Sequence, residues 1–300
     1  MASTPQRKIG LGVTCRLGAV VVFGAMLVFV KLAGEHGVHT FQIIFFRNAF
    51  AFIPIVLAIW LGSGFGSLRT RKPAAHFVRS AVGLVGMCCG FTAIGMLPVN
   101  EFTTINFTTP LMIAALSGPI LGERVGAHTW AAVAVGFTGV LIAVRPDPAN
   151  LADMGVLLAF GPAAGAAGAM LAIRQLGATE SGPAIAFYFT VAATLLGAVT
   201  MPFVWRSPDA LTLFYLVMVG LCGGVGQLLL TQAFKFAPAA VVAPFDYAAL
   251  LWNGVLAYVI WRETPTHWTI IGGGIVVGSG LYLIWRQRVE AQARRRRAGA

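Results

Sequence analysis

Ten apolar runs, each near twenty residues long, follow one another along this 300-residue chain with only short joins between them. They lie near 12–31, 39–61, 74–96, 99–121, 127–144, 153–173, 182–204, 210–233, 239–261 and 267–285. A helix rises about 1.5 Å per residue, so roughly 20 apolar residues cross the ~30 Å of bilayer hydrocarbon. Charged residues make up only 10% of the chain and hydrophobic ones 58%, with a mean hydropathy of +0.82. Soluble domains carry about 25% charged residues, so most of this surface must face lipid. The first run is too long for a signal peptide and leads into no soluble region, so it reads as a true span. The expectation is an all-α polytopic membrane protein with ten transmembrane helices.

Loop charge sets the orientation. With the N-terminus in the cytoplasm, ten spans return the C-terminus there. The cytoplasmic side then collects Arg7, Lys8, Arg16, Arg69, Arg71, Lys72, Arg79, Arg124, Arg174, Lys235, Arg286, Arg288 and the tail arginines. The opposite side keeps Lys31, Arg145, Arg206 and Arg262. That bias follows the positive-inside rule and predicts a multi-pass protein of a bacterial cytoplasmic (inner) membrane, with both termini cytoplasmic.

The same charge distribution argues against nucleic-acid binding. The net charge of +11 gathers at the ends and in short loops, and RRRR at 294–297 reads as a solvated tail or a contact with anionic lipid. Cys15, Cys88, Cys89 and Cys222 lie in or beside apolar runs without a zinc or redox spacing, and the five histidines fall mostly at run ends. No metal site, cofactor or enzyme activity is expected. The joins are too short to hold an active site, and no nucleotide loop or nucleophile elbow is present.

Sliding the chain by 140 positions brings Gly83 onto Gly223, Gly86 onto Gly226, Pro98 onto Pro238 and Glu123 onto Glu263. Five spans per half is odd, so the second copy must run through the bilayer upside down. The fold expected is two inverted five-helix repeats, 1–147 and 148–300, joined near RPDPANLAD at 145–153. Two inverted halves can exchange conformations, which provides states open to opposite sides.

Within the runs a few polar residues stand out. Arg47 lies about eight residues into its span, where a lone cation costs several kcal/mol unless it pairs, snorkels or meets a wet cavity. Asp246 is the partner suggested for it, followed by Tyr247, Trp252 and Asn253; the i to i+7 spacing puts Asp246 and Asn253 on one helical face. Pro244 frees a backbone carbonyl there. In the first half, NEFTTINFTTP is polar for membrane depth, with Asn106 opposite Asp246 in the 140-residue register and Pro110 following at helical spacing. Gln227, beside a glycine-rich stretch, and Tyr188, an aromatic able to stack on a planar ligand, complete the substrate-binding candidates. Gly86, Pro98, Pro110, Glu123, Gly226, Pro238, Pro244 and Glu263 are read as structural, the two glutamates fixing turns between paired spans and bonding nearby backbone donors.

The segments FTTPLMIAALSGPILGERVGAHTWAAVAVGFTGVLIAVRP (107–146) and APFDYAALLWNGVLAYVIWRETPTHWTIIGGGIVVGSGLYLIW (243–285) resemble the EamA-type drug/metabolite transporter superfamily. Each has an apolar run, an acidic helix end, a short turn and a glycine-studded span. FFRNAFAF (45–52) and APFDYAAL (243–250) look like the branch containing bacterial S-adenosylmethionine and riboflavin carriers. In the S-adenosylmethionine carriers the second pattern resembles Ala-Pro-x-Arg-Tyr; here Asp246 takes the basic residue's place. The resemblance implies a ten-helix carrier of small organic metabolites.

The resulting expectation is a secondary transporter working by alternating access on S-adenosylmethionine, riboflavin or an amino-acid-like solute. A multidrug or amino-acid exporter of the same fold is the first alternative, and a non-transporting scaffold or receptor subunit the second. The partners expected are a small-molecule metabolite, membrane lipid and a coupling proton on Asp246, with a permanent Arg47–Asp246 ion pair as the rival to that proton. Homodimer formation is left open.

Overall fold

A computed structural model describes residues 5–70, 72–121, 126–145, 154–176, 182–236 and 243–298. The helices are α1 (Pro5–Glu35), α2 (Thr40–Ala58), α3 (Pro73–Met96), α4 (Val99–Asn106), α5 (Thr109–Leu121) and α6 (Ala127–Val144). They continue as α7 (Met154–Leu176), α8 (Gly182–Val204), α9 (Ala210–Phe236), α10 (Ala248–Trp261) and α11 (His267–Ala298). A π turn (Ile59–Ser63) extends α2, and 3-10 turns occupy Phe65–Leu68 and Ala243–Tyr247. The described residues contain no strand.

Seven of these helices are long and apolar enough to cross a membrane, namely α1, α2, α3, α6, α8, α9 and α11, and two shorter apolar helices, Met154–Ala169 and Phe245–Trp261, lie in the sixth and ninth runs. The fourth run is not one helix, and its side chains explain why. The Asn106 amide donates to the Phe102 carbonyl, the Thr108 hydroxyl to Ile105 O and the Thr109 hydroxyl to Asn106 O. Such local bonds compete with the helical ladder. The chain breaks at Phe107–Thr108, and Pro110 then sits in the first turn of α5, where its missing N–H costs nothing.

Packing pairs helices far apart in sequence. α1 lies along α9, α3 along α7, and α6 along α11, while α2 is wedged between α8 and α9. Close approach depends on glycine: a Cβ on Gly86 of α3 would lie 3.0 Å from the Gly165 Cα of α7, so only bare backbones fit there. The buried core includes Ile43, Phe46, Ile94, Phe102, Ile105, Leu216 and Val219. Large apolar side chains also cover the outside, with Phe203 87% and Leu251 75% exposed. A surface of that kind is solvated by lipid, and the chain is a multi-pass, all-helical membrane protein.

Candidate substrate-binding site

Arg47 is on α2, whose first turn is capped by His39, with Nδ1 accepting from the Phe41 N–H. Its side chain is only 7% exposed and turns into the bundle. Nη1 donates to Asn48 Oδ1 at 2.7 Å, and the Asn48 amide donates back to Ile44 O at 2.8 Å. The guanidinium carbon lies 5.8 Å from the ring centre of Phe189 on α8. Arg79, expected among the cytoplasmic charges, belongs to the same place: it projects from α3 over the same ring at 4.5 Å.

Asp246 does not meet Arg47. Its partner is Arg16 of α1, whose Nε donates to Asp246 Oδ1. Asp246 and Asn253 both border α1, Asp246 through Arg16 and Asn253 beside Gly24. Residues Ala243–Tyr247 form a 3-10 turn, with three residues per turn instead of 3.6, before the α-helix begins at Ala248. Asn253 also reaches α4, donating from Nδ2 to Thr103 Oγ1 at 3.1 Å. Asn253 is buried, and its Oδ1 has no hydrogen-bond partner among the described residues.

Tyr247 packs its ring on Phe107 of the α4–α5 turn. Its hydroxyl is buried, lacks a partner among the described residues, and occupies the space left by Gly280 of α11. Trp252 is a lock between helices: Nε1 donates to Val21 O of α1 at 3.1 Å, and its ring fills the gap beside Gly24. Asn106 bonds back to its own helix. Tyr188 donates to Leu68 O at 2.8 Å and lies 4.7 Å from the His76 ring, so it ties the α2–α3 connection to α8. Gln227 is half-buried on α9, one turn beyond Gly223.

Of the residues read as structural, Gly86 and Gly226 stand at helix contacts, the latter against the Phe23 ring. Pro98 is the N-cap of α4 and separates it from α3. Pro244 lies in the 3-10 turn. Glu123 and Pro238 lie outside the described residues. Glu263 follows Arg262, which ends α10 in the left-handed conformation at φ 57°. The reversal points the Glu263 carboxylate at two donors, Lys31 Nζ at 2.7 Å and the Val99 N–H at 2.9 Å. Lys31 also stands 4.7 Å over the Trp261 ring. This junction of α1, α4 and α10 was not expected in full, since Lys31 reads in sequence as an ordinary span-end charge.

A groove of about 340 Å³ opens elsewhere, between α6 and α11, beside His128, Val135, Ser279 and Tyr282. None of the predicted binding residues lines it. The polar groups above are held in close packing, with α1 and α10 touching at Gly24.

Comparison with known proteins agrees with this architecture. The EamA-like transporter family model matches the chain twice, over residues 10–145 and 153–286. The S-adenosylmethionine uptake transporter of Rickettsia bellii is 27% identical, covering 94% of this chain and 96% of its own length. The pseudopaline exporter CntI of Pseudomonas aeruginosa is 30% identical over 89% of this chain and 93% of its own. The riboflavin transporter of Rhizobium johnstonii is 26% identical over 80% and 79%. A crystal structure with a TM-score of 0.61 at 20% identity, covering 91% of this chain and 98% of that one, shares the fold.

Proposed function

Because the chain belongs to the EamA-like transporter family, we propose that it is a secondary transporter moving a small organic metabolite across the bacterial cytoplasmic membrane by alternating access. Ten spans in two inverted five-helix units, 1–147 and 148–300, provide the machinery, with both termini cytoplasmic. S-adenosylmethionine, riboflavin and amino-acid-like solutes are the substrates to try first.

One observation carries this reading: helix contacts exchange when the halves are exchanged. In the ten-span count, α1 against α9 is the first span on the eighth, and α3 against α7 is the third on the sixth. The fifth and tenth spans, α6 and α11, pair with each other, as do the second and seventh, α2 and α8. The fourth and ninth spans both depart from α-helix at equivalent points, Phe107 and Tyr247. Breaks of this kind in matching spans mark the binding region of inverted-repeat carriers.

In this scheme the Lys31–Glu263 junction holds the outer ends of α1, α4 and α10 together, and Arg16–Asp246 ties α1 to the inner end of the ninth span. A proton on Asp246 and the Arg16 ion pair exclude each other, so protonation would free α1 and couple the opening to proton movement. Outward transport is the second reading, favoured by the 30% identity to an exporter.

Proteoliposomes holding the purified protein, incubated with a metabolite extract, test the proposal. A small set of related metabolites should accumulate inside, identified by mass. Correctly folded protein that enriches nothing over protein-free vesicles would overturn it.

A further inference from the structure

Two guanidinium groups from different helices share the ring of Phe189, Arg47 at 5.8 Å and Arg79 at 4.5 Å. Arg47 Nε, Arg79 Nε and Arg79 Nη1 are buried and have no hydrogen-bond acceptor among the described residues. The aromatic face attracts a cation but does not replace an oxygen acceptor. Among the described residues no carboxylate forms an ion pair with either arginine. Helices α2, α3, α7, α8 and α9 contain neither aspartate nor glutamate. The two ion pairs among the described residues belong to Arg16 and Lys31.

The surrounding backbone is cut away to seat these groups. A Cβ on Gly83 would lie 3.0 Å from the Phe189 ring, and one on Gly223 would lie 3.0 Å from Arg47 Nε. These glycines are equivalent in the 140-residue register. One half uses the opening for an aromatic ring, the other for a cation. Arg47 has Phe187 as its counterpart, and Arg79 has Val219, fully buried. The charges therefore belong to one half alone, and a packing device common to both halves does not explain them.

We propose that Arg47, Arg79 and Phe189 bind the oxyanion of a soluble organic substrate, a carboxylate or phosphate carried next to a flat or apolar body. This rests on the carrier reading above and gives its substrate a chemical class. A guanidinium fork matches two oxygens of a carboxylate or phosphate. Two such forks beside a ring select an anion with an adjoining apolar surface.

The test uses three probes of one shape and different charge: benzoate, benzyl alcohol and benzylammonium. With the whole 300-residue chain in phosphatidylcholine nanodiscs, benzoate should raise the melting temperature while the other two leave it unchanged. Arg47→Gln and Arg79→Gln should each weaken benzoate binding about 10-fold or more, the loss of a charge-assisted hydrogen bond. Arg79→Lys, which keeps the charge and loses the fork, should stay folded and bind with intermediate strength. Equal shifts from all three probes, or undiminished benzoate binding by the arginine variants, overturns the proposal. Loss of the benzoate effect when phosphatidylglycerol replaces phosphatidylcholine also overturns it, in favour of a lipid headgroup. Metabolite accumulation without benzoate binding would remove this site alone; benzoate binding without accumulation would remove the carrier reading alone.

Discussion

Phe107 and Tyr247, 140 positions apart in sequence, touch each other with ring centroids 5.1 Å apart and planes inclined at 38°. Phe107 sits in the turn that ends α4, and Tyr247 closes the 3-10 turn that opens α10. In the inverted-repeat reading they are equivalents, and a residue touching its own equivalent lies beside the axis that exchanges the halves. In that reading the backbone irregularities of both halves converge beside this axis, where a carrier needs polar groups and freedom to bend.

Tyr247→Phe isolates what the hydroxyl does. A buried hydroxyl without a partner costs free energy, so its removal should leave thermal stability unchanged or raise it by up to about 1 kcal/mol. If the hydroxyl serves the substrate, the KM for transport should rise about fivefold, the worth of one neutral hydrogen bond. A large fall in stability would show that the hydroxyl is structurally engaged.

The Arg16–Asp246 pair predicts unequal effects in a double-mutant cycle. Arg16→Gln strands a carboxylate and Asp246→Asn strands a guanidinium, while the double variant strands neither. Thermal unfolding should give a coupling of about 1–2 kcal/mol, below the value for a fully buried pair because the Asp246 side chain is partly exposed. In transport, Asp246→Asn should lose concentrative uptake and keep counterflow exchange. Equal loss of both at normal expression would assign Asp246 to binding or folding.

Gly24 predicts a suppressor. A Cβ there would lie 2.5 Å from Trp252 Cδ1 and 2.7 Å from Asn253 Oδ1. Gly24→Ala should destabilise the protein by about 1–3 kcal/mol through overpacking and reduce transport. Adding Trp252→Ala should restore part of both, read by melting temperature and initial uptake rate. An unchanged double variant would mean that α1 and α10 do not meet at this point.

Outside the membrane, Asp209 predicts a local pH effect. It caps α9, and hydrogen bonds from the Thr212 hydroxyl and from the Thr212 N–H, the latter at 2.8 Å, hold its carboxyl below the usual carboxylate range. A depressed carboxyl contributes stability above its unfolded pKa, about 3.9, and loses it as the pH falls through the folded value. Amide-exchange protection at Thr212, corrected for intrinsic rate, should fall below about pH 4. In Asp209→Asn, which caps without titrating, it should stay flat over that range.

Much of the fold is legible from apolar run length, because lipid leaves little choice about where a run of some twenty apolar residues goes. The break in the fourth run is foreshadowed by Asn106, Thr108, Thr109 and Pro110, all able to take over backbone bonds. Partners are harder to read. Arg16 and Arg79 fall inside the runs at 12–31 and 74–96, yet their nearness to a charged end makes them look like loop charges. What distinguishes them is what they face, Asp246 at a separation of 230 residues and Phe189 on α8, and local pattern carries no such information. Phe189 itself is one phenylalanine among 21. The 3-10 turn at Ala243–Tyr247 is likewise invisible to the i to i+7 count.

Alternating access is tested most directly by the side from which a cysteine at position 103, next to Asn253, can be labelled. In a background with the four native cysteines replaced, Thr103→Cys should react with a membrane-impermeant maleimide from either side of oriented vesicles. Glu263→Gln, which loosens the junction with Lys31 and Val99, should raise labelling from the outside and lower it from the inside. Labelling that rises from both sides together, or that reaches this position from neither, would contradict a carrier that opens to one side at a time.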